Sequence, residues 1–86
     1  MKWIVIEQIE SPAKTKRWKV ATTYDATILG RIAFYPRWRK YAFYPETNTL
    51  YEQDCLRDIA EFLETETKAW RAGLKKSVNQ RSNEER

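Results

Sequence analysis

Arg17, Lys19, Arg31, Tyr35, Arg37, Trp38, Arg39, Lys40 and Tyr44 are the side chains with a chemistry to argue. Lysine and arginine neutralise phosphates, and tyrosine and tryptophan rings offer a face on which a base can stack. From Lys14 to Lys40 the cations are Lys14, Lys16, Arg17, Lys19, Arg31, Arg37, Arg39 and Lys40, against Asp25 alone. From Glu46 to Glu66 the pattern inverts: Glu46, Glu52, Asp54, Asp58, Glu61, Glu64 and Glu66 stand against Arg57 alone. The chain is therefore polarised, with a basic first half, an acidic stretch and a basic tail. Its net charge of +4 permits an acidic partner. The blander reading of the same residues is a solvated sheet face, where Lys and Arg serve solubility and discourage edge-to-edge association. Trp38, between two arginines, has three readings: a stacking platform, an anchor for a protein interface, or a ring folded back over a helix end.

Other chemistries find little to work with. The chain has no His, the usual neutral-pH base and metal ligand. Cys55 is the single cysteine, so no intrachain disulfide forms, and its place in an apolar stripe suits a core residue. Asp54, Asp58, Glu61 and Glu64 share a helical stretch, whose default role is a solvated acidic face. There is no phosphate-binding loop and no CxxC. The expectation is a non-enzyme with no catalytic residues, no metal and no cofactor. MKWIVIEQ is too short for a signal segment and no long apolar run follows, so a soluble cytoplasmic protein without a membrane partner is expected.

The elements that must position the basic and aromatic residues follow from periodicity. At 86 residues the chain suits one small domain, a helical layer on a sheet. Four Trp and five Tyr supply a compact aromatic core. Residues 2–10, rich in β-branched and aromatic types, predict a strand. So do 17–24, where Trp18, Val20 and Thr22 alternate with Arg17, Lys19 and Ala21. A third strand is predicted over 28–35, with Gly30 at a bulge, and a fourth over about 39–44. After Pro45 the period becomes helical: Cys55, Leu56, Ile59, Ala60, Phe62, Leu63, Trp70 and Leu74 form a stripe. Thr49 and Glu52 fit a capping box, and Gly73 either stops the helix or weakens it. The predicted fold is α+β: a four-stranded antiparallel β-meander packed on one C-terminal helix. One domain spans 1–76, with a flexible tail over 77–86.

The tetrapeptide AFYP occurs at 33–36 and again at 42–45. With Arg37 and Trp38 as a two-residue loop, Ala33 faces Ala42, Ile32 faces Phe43 and Phe34 faces Tyr41. Strand alternation then puts Ile32, Phe34, Tyr41 and Phe43 on one face and Arg31, Tyr35, Lys40 and Tyr44 on the other. Each proline ends its arm, having no N–H to donate. The repeat is thus two arms of one hairpin. Trp18 and Val20 join the inner set, which takes the helix stripe, and Arg17 and Lys19 join the outer set.

ILGRIAFYPRWRKYAFYPE followed by CLRDIAEFLE, a span of about 28–64, resembles a group of small uncharacterised proteins encoded by phages and prophages. The resemblance implies a phage setting and carries no activity. In outline, sheet plus helix, the chain also resembles the DNA-binding domains of phage integrases and plant AP2 proteins. None of the residues diagnostic of AP2 domains is present. The expected function is a nucleic-acid-binding accessory or regulatory protein, with DNA or RNA as partner, acting through the nine residues above. The alternatives are a protein-binding module, such as a phage-encoded modulator of a host protein with Trp38 as anchor, and a structural homo-oligomer. Strand one is apolar on both faces, Trp3 and Val5 against Ile4 and Ile6, and one helix cannot cover both. That predicts a homo-oligomer, a dimer being the commonest closed form.

Overall fold

The computed structural model describes the backbone of residues 1–85 and the side chains of residues 1–73. Four strands come first: β1 (Ile4–Ile9), β2 (Arg17–Thr22), β3 (Ile28–Tyr35) and β4 (Lys40–Pro45). One helix follows, α1 (Gln53–Glu85). The strands lie in the order β1-β2-β3-β4 with every neighbouring pair antiparallel. The sheet is a meander with α1 packed on one face, the α+β architecture predicted from periodicity.

The register of the last hairpin follows the AFYP parity: Ile32 pairs with Phe43, Ala33 with Ala42 and Phe34 with Tyr41. The loop is a correction. It has four residues, 36–39, rather than two. A two-residue hairpin turn needs residues at ease with positive φ, which Arg37 and Trp38 are not. Here only Arg39 takes that conformation, at φ 54, and the Tyr35 carbonyl accepts from the N–H groups of Trp38 (3.2 Å) and Arg39 (3.0 Å).

The inner face carries Ile4, Trp18, Val20, Leu29, Ile32 and Tyr41, closed by Cys55 and Ile59 of α1. Trp18 is its hub, edge-on to Tyr41 (5.3 Å between centroids) and to Phe62 (5.0 Å). The Tyr41 ring crosses the core, and its hydroxyl accepts from the Lys16 N–H at 3.2 Å. Phe34 and Phe43 face inward as the parity requires, but they are half-buried. They lie toward the β4 edge, where Trp70 and Tyr51 cover them only in part.

From Cys55 to Trp70 the helix rises about 22 Å, the length of a strand of six to eight residues, so this is the stretch that can lie across the sheet. Cys55, Ile59 and Thr67 are buried there, and Phe62, Leu63 and Trp70 half-buried. Leu56, placed in the stripe by its spacing, is instead 52% exposed. It lies on the flank that turns toward the β4 edge, and no further strand covers that flank. Thr67 on the same flank is buried because its Oγ1 accepts from the Tyr41 N–H at 3.0 Å, closing one donor of the open β4 edge.

The capping box is also corrected. Glu52 is itself the cap: its carboxylate accepts from the Cys55 N–H at 2.7 Å, and its carbonyl from the Leu56 N–H. The Thr49 hydroxyl is taken up in the preceding turn, donating to the Glu46 carbonyl. Gly73 does not stop α1. The predicted flexible tail over 77–86, and Leu74 of the stripe, lie outside the residues whose side chains are described. No helix among the described residues is long and apolar enough to cross a membrane.

Gly30 sits beside a bulge, as its position suggested. Val20 pairs with Gly30 and Ala21 with Ile28, so Leu29 is the extra residue. The Leu29 carbonyl accepts from the Glu46 N–H (2.8 Å) and from the Tyr51 hydroxyl (2.6 Å), which ties the bulge to the lead-in of α1.

Candidate nucleic-acid interface

The pairing registers arrange the outer face of the sheet into rows. One row reads Glu7–Lys19–Arg31–Tyr44 across the four strands. The next reads Ile9–Arg17–Ala33–Ala42, and a third holds Tyr35 and Lys40. Side-chain alternation makes these rows share the face opposite α1. The face therefore offers cations at Arg17, Lys19, Arg31 and Lys40, rings at Tyr35 and Tyr44, and between them a floor of small residues, Ala33 and Ala42. Arg17, Arg31, Ala33 and Tyr44, with Phe34, line a shallow open depression of about 390 Å³.

The cations differ in what already engages them. Lys19 lies 3.8 Å from Glu7, an exposed pair that contributes little to stability but partly neutralises the β1 side of the face. Arg31 stands directly opposite Lys19 in register, a like-charge juxtaposition that an anion would relieve. Among the described residues no carboxylate lies within salt-bridge distance of Arg17, Arg31, Arg37 or Lys40. Arg39 departs from its predicted place at the tip of the outer face. Its guanidinium stands over the Trp70 ring at 5.7 Å, on the helix side of the sheet. The positive φ at Arg39 re-aims the chain there, and a two-residue loop gave no reason to expect it.

Trp38 is 65% exposed, and its ring rests edge-on against Tyr35 at 4.7 Å between centroids. That contact holds Trp38 on the outer side of the hairpin tip and leaves Tyr35 half-buried beneath it. Tyr44, 44% exposed, marks the other end of β4. Arg37 is exposed in the turn. Of the nine predicted residues, eight thus lie on the outer face or its tip, and Arg39 does not.

Two features of the face were missed in the sequence. Glu7 sits in the basic row, although its parity with Val5 was a signal for it. Ala33 and Ala42 form the floor, and small residues carry no signal of their own until register places them side by side. Beyond the rows the face ends in an apolar corner, where Trp3, Val5 and Ile28 are exposed.

The acidic run from Asp54 to Glu64 belongs to the other layer. Asp54, Asp58, Glu61 and Glu64 are on α1, which covers the inner face. Cys55 faces the core, and burial pushes its thiol up, away from the reactive thiolate. Among the described residues no group of three His, Cys, Asp or Glu side chains stands close enough to hold a metal ion.

No family model, curated protein or solved structure matches the chain.

Proposed function

We propose that the chain is a nucleic-acid-binding accessory or regulatory protein that holds its ligand on the outer face of the sheet. The observation that carries this is the register: it groups Arg17, Lys19, Arg31 and Lys40 with Tyr35, Tyr44 and Trp38 on one open face. Cations interleaved with exposed rings suit a ligand made of phosphates and flat bases. The separation of charge between layers supports the same reading, because the acidic residues of α1 lie behind the sheet and do not oppose an approaching polyanion directly.

The test is a double charge reversal, Arg17→Glu with Arg31→Glu. Both side chains are exposed, so the fold should survive, as circular dichroism would verify. Binding to mixed-sequence DNA and RNA oligonucleotides at about 50 mM salt, where the electrostatic contribution is strong, should fall more than tenfold. Unchanged binding would remove the face from the account.

A second reading, self-association, has an observation of its own. The apolar corner of Trp3, Val5 and Ile28 runs from the edge strand β1 across to the start of β3 and is exposed. A two-fold pairing through it would bury its rings and aliphatic side chains. Light scattering at micromolar concentration should then give twice the chain mass, and Val5→Lys should return the monomer.

A further inference from the structure

We propose that the outer face takes a single strand rather than a duplex, running along the β3–β4 hairpin. Its bases stack on Tyr44 and on Trp38, and its phosphates are seated between by Arg17 and Arg31 over Ala33 and Ala42. This rests on the function proposed above and narrows the ligand.

The first argument is the rings. Tyr44 and Trp38 lie at opposite ends of β4, on the same side of the sheet, and both are substantially exposed. From the Tyr44 row to the Tyr35–Lys40 row is four strand residues, about 14 Å. Bases in a duplex strand are stacked at about 3.4 Å and present edges, not faces, to a groove. Rings this far apart can receive only bases that have left the stack, which a single strand offers without unpairing.

The second argument is the charge track. A duplex presents two phosphate ridges. Among the described residues the unengaged cations of the strands on this face are on β2, β3 and β4, while β1 contributes Glu7 and the apolar Val5 and Ile9 to the outer rows. One ridge is provided for and the second would meet a carboxylate. The four strands also span about 14 Å between outer axes, broader than the roughly 12 Å major groove, so the face as a whole cannot enter it. The alanine floor lets a backbone approach closely between Arg17 and Arg31, which are diagonal neighbours across β2 and β3.

The experiment is fluorescence anisotropy with labelled oligonucleotides of about 12 nucleotides, within the usual site size for single-strand binders. Three probes are used at about 50 mM salt: mixed-sequence single-stranded DNA, the same sequence as RNA, and the blunt DNA duplex. Wild type should bind at least one single strand more than tenfold tighter than the duplex. Comparing the DNA and RNA arms identifies the natural sugar. Tyr44→Ala and Trp38→Ala should each weaken single-strand binding roughly 5- to 150-fold, while Tyr44→Phe, which keeps the ring, should retain it. Duplex binding as tight as single-strand binding, or insensitivity to both alanine variants, overturns this inference and leaves the proposed function standing. Absence of binding to all three probes overturns the function itself.

Discussion

The Trp38 ring stands edge-on to Tyr35, 72° between planes, and is held at the hairpin tip without being buried. On the proposed function, this exposed ring is a surface on which a base would stack. Trp18 is buried and Trp70 half-buried, whereas Trp38 and Trp3 are exposed. Adding a single-stranded oligonucleotide should therefore quench tryptophan emission, and Trp38→Phe should remove most of that quench. Trp38→Phe should also leave thermal stability nearly unchanged, as expected for an exposed site. An equal quench in the variant would place the contact elsewhere.

Gly30 predicts a stability effect with a consequence for the face. A methyl group at Gly30 would overlap the Tyr44 carbonyl oxygen and lie 2.8 Å from the Phe43 ring. The carbonyl belongs to the backbone and cannot swing away. Gly30→Ala should destabilise by about 1–3 kcal/mol in urea titrations. It should also disturb Tyr44, and so weaken ligand binding more than its small size suggests. A variant as stable as wild type would contradict the close approach.

Thr67 is the buried polar residue that joins α1 to the β4 edge through the Tyr41 N–H. Thr67→Val keeps the shape and removes the acceptor, leaving a buried donor unpaired. The expected loss is about 1–3 kcal/mol by chemical denaturation, and the Tyr41 amide should lose hydrogen-exchange protection. Thr67→Ser should retain both.

These residues show where sequence was informative. The hairpin register was legible because two prolines end the arms and Phe and Tyr alternate strictly between them. Trp18, Ile32 and Ile59 were legible as core for the same periodic reason. Thr67 was not, because a polar residue enters a core only through a partner, and the partner is 26 residues away on another element. Leu56 was misplaced because its spacing fits the stripe, while the sheet stops at β4. Thr49 matched a capping pattern, yet the turn marked by Asn48 at φ 59 draws its hydroxyl away from the helix. The outer face was legible in its cations and rings. Its order was not, because the Glu7–Lys19 pair and the Arg39–Trp70 contact depend on neighbouring strands and on turn geometry.

Two carboxylates give the pH dependence a sign. The Thr22 hydroxyl, with the Thr27 N–H beside it, holds the Asp25 carboxyl below its ordinary value, and the Cys55 N–H does the same for Glu52. A carboxyl with a lowered folded pKa stabilises the fold above its unfolded pKa, about 3.9 for Asp and 4.3 for Glu. That contribution is lost as pH falls through the folded values. The melting temperature should hold from neutrality to about pH 5 and decline below it. Asp25→Asn and Glu52→Gln, which keep an acceptor but cannot titrate, should each flatten the decline. An unchanged acid limb in both would show that other groups dominate it.

The most direct measurement is the affinity of wild type for a labelled single-stranded oligonucleotide across a salt series. Arg17, Arg31, Arg37 and Lys40 are the cations of the outer face and its tip without an ion-pair partner among the described residues. Four phosphate contacts on a single strand correspond to a slope of log K against log salt near −3, about a 50-fold loss between 50 and 200 mM. Removing one of them, as in Arg31→Ala, should reduce the slope by about 0.7, whereas Trp38→Ala should weaken binding and leave the slope unchanged. No binding at about 50 mM salt, or binding with no salt dependence, would contradict the account.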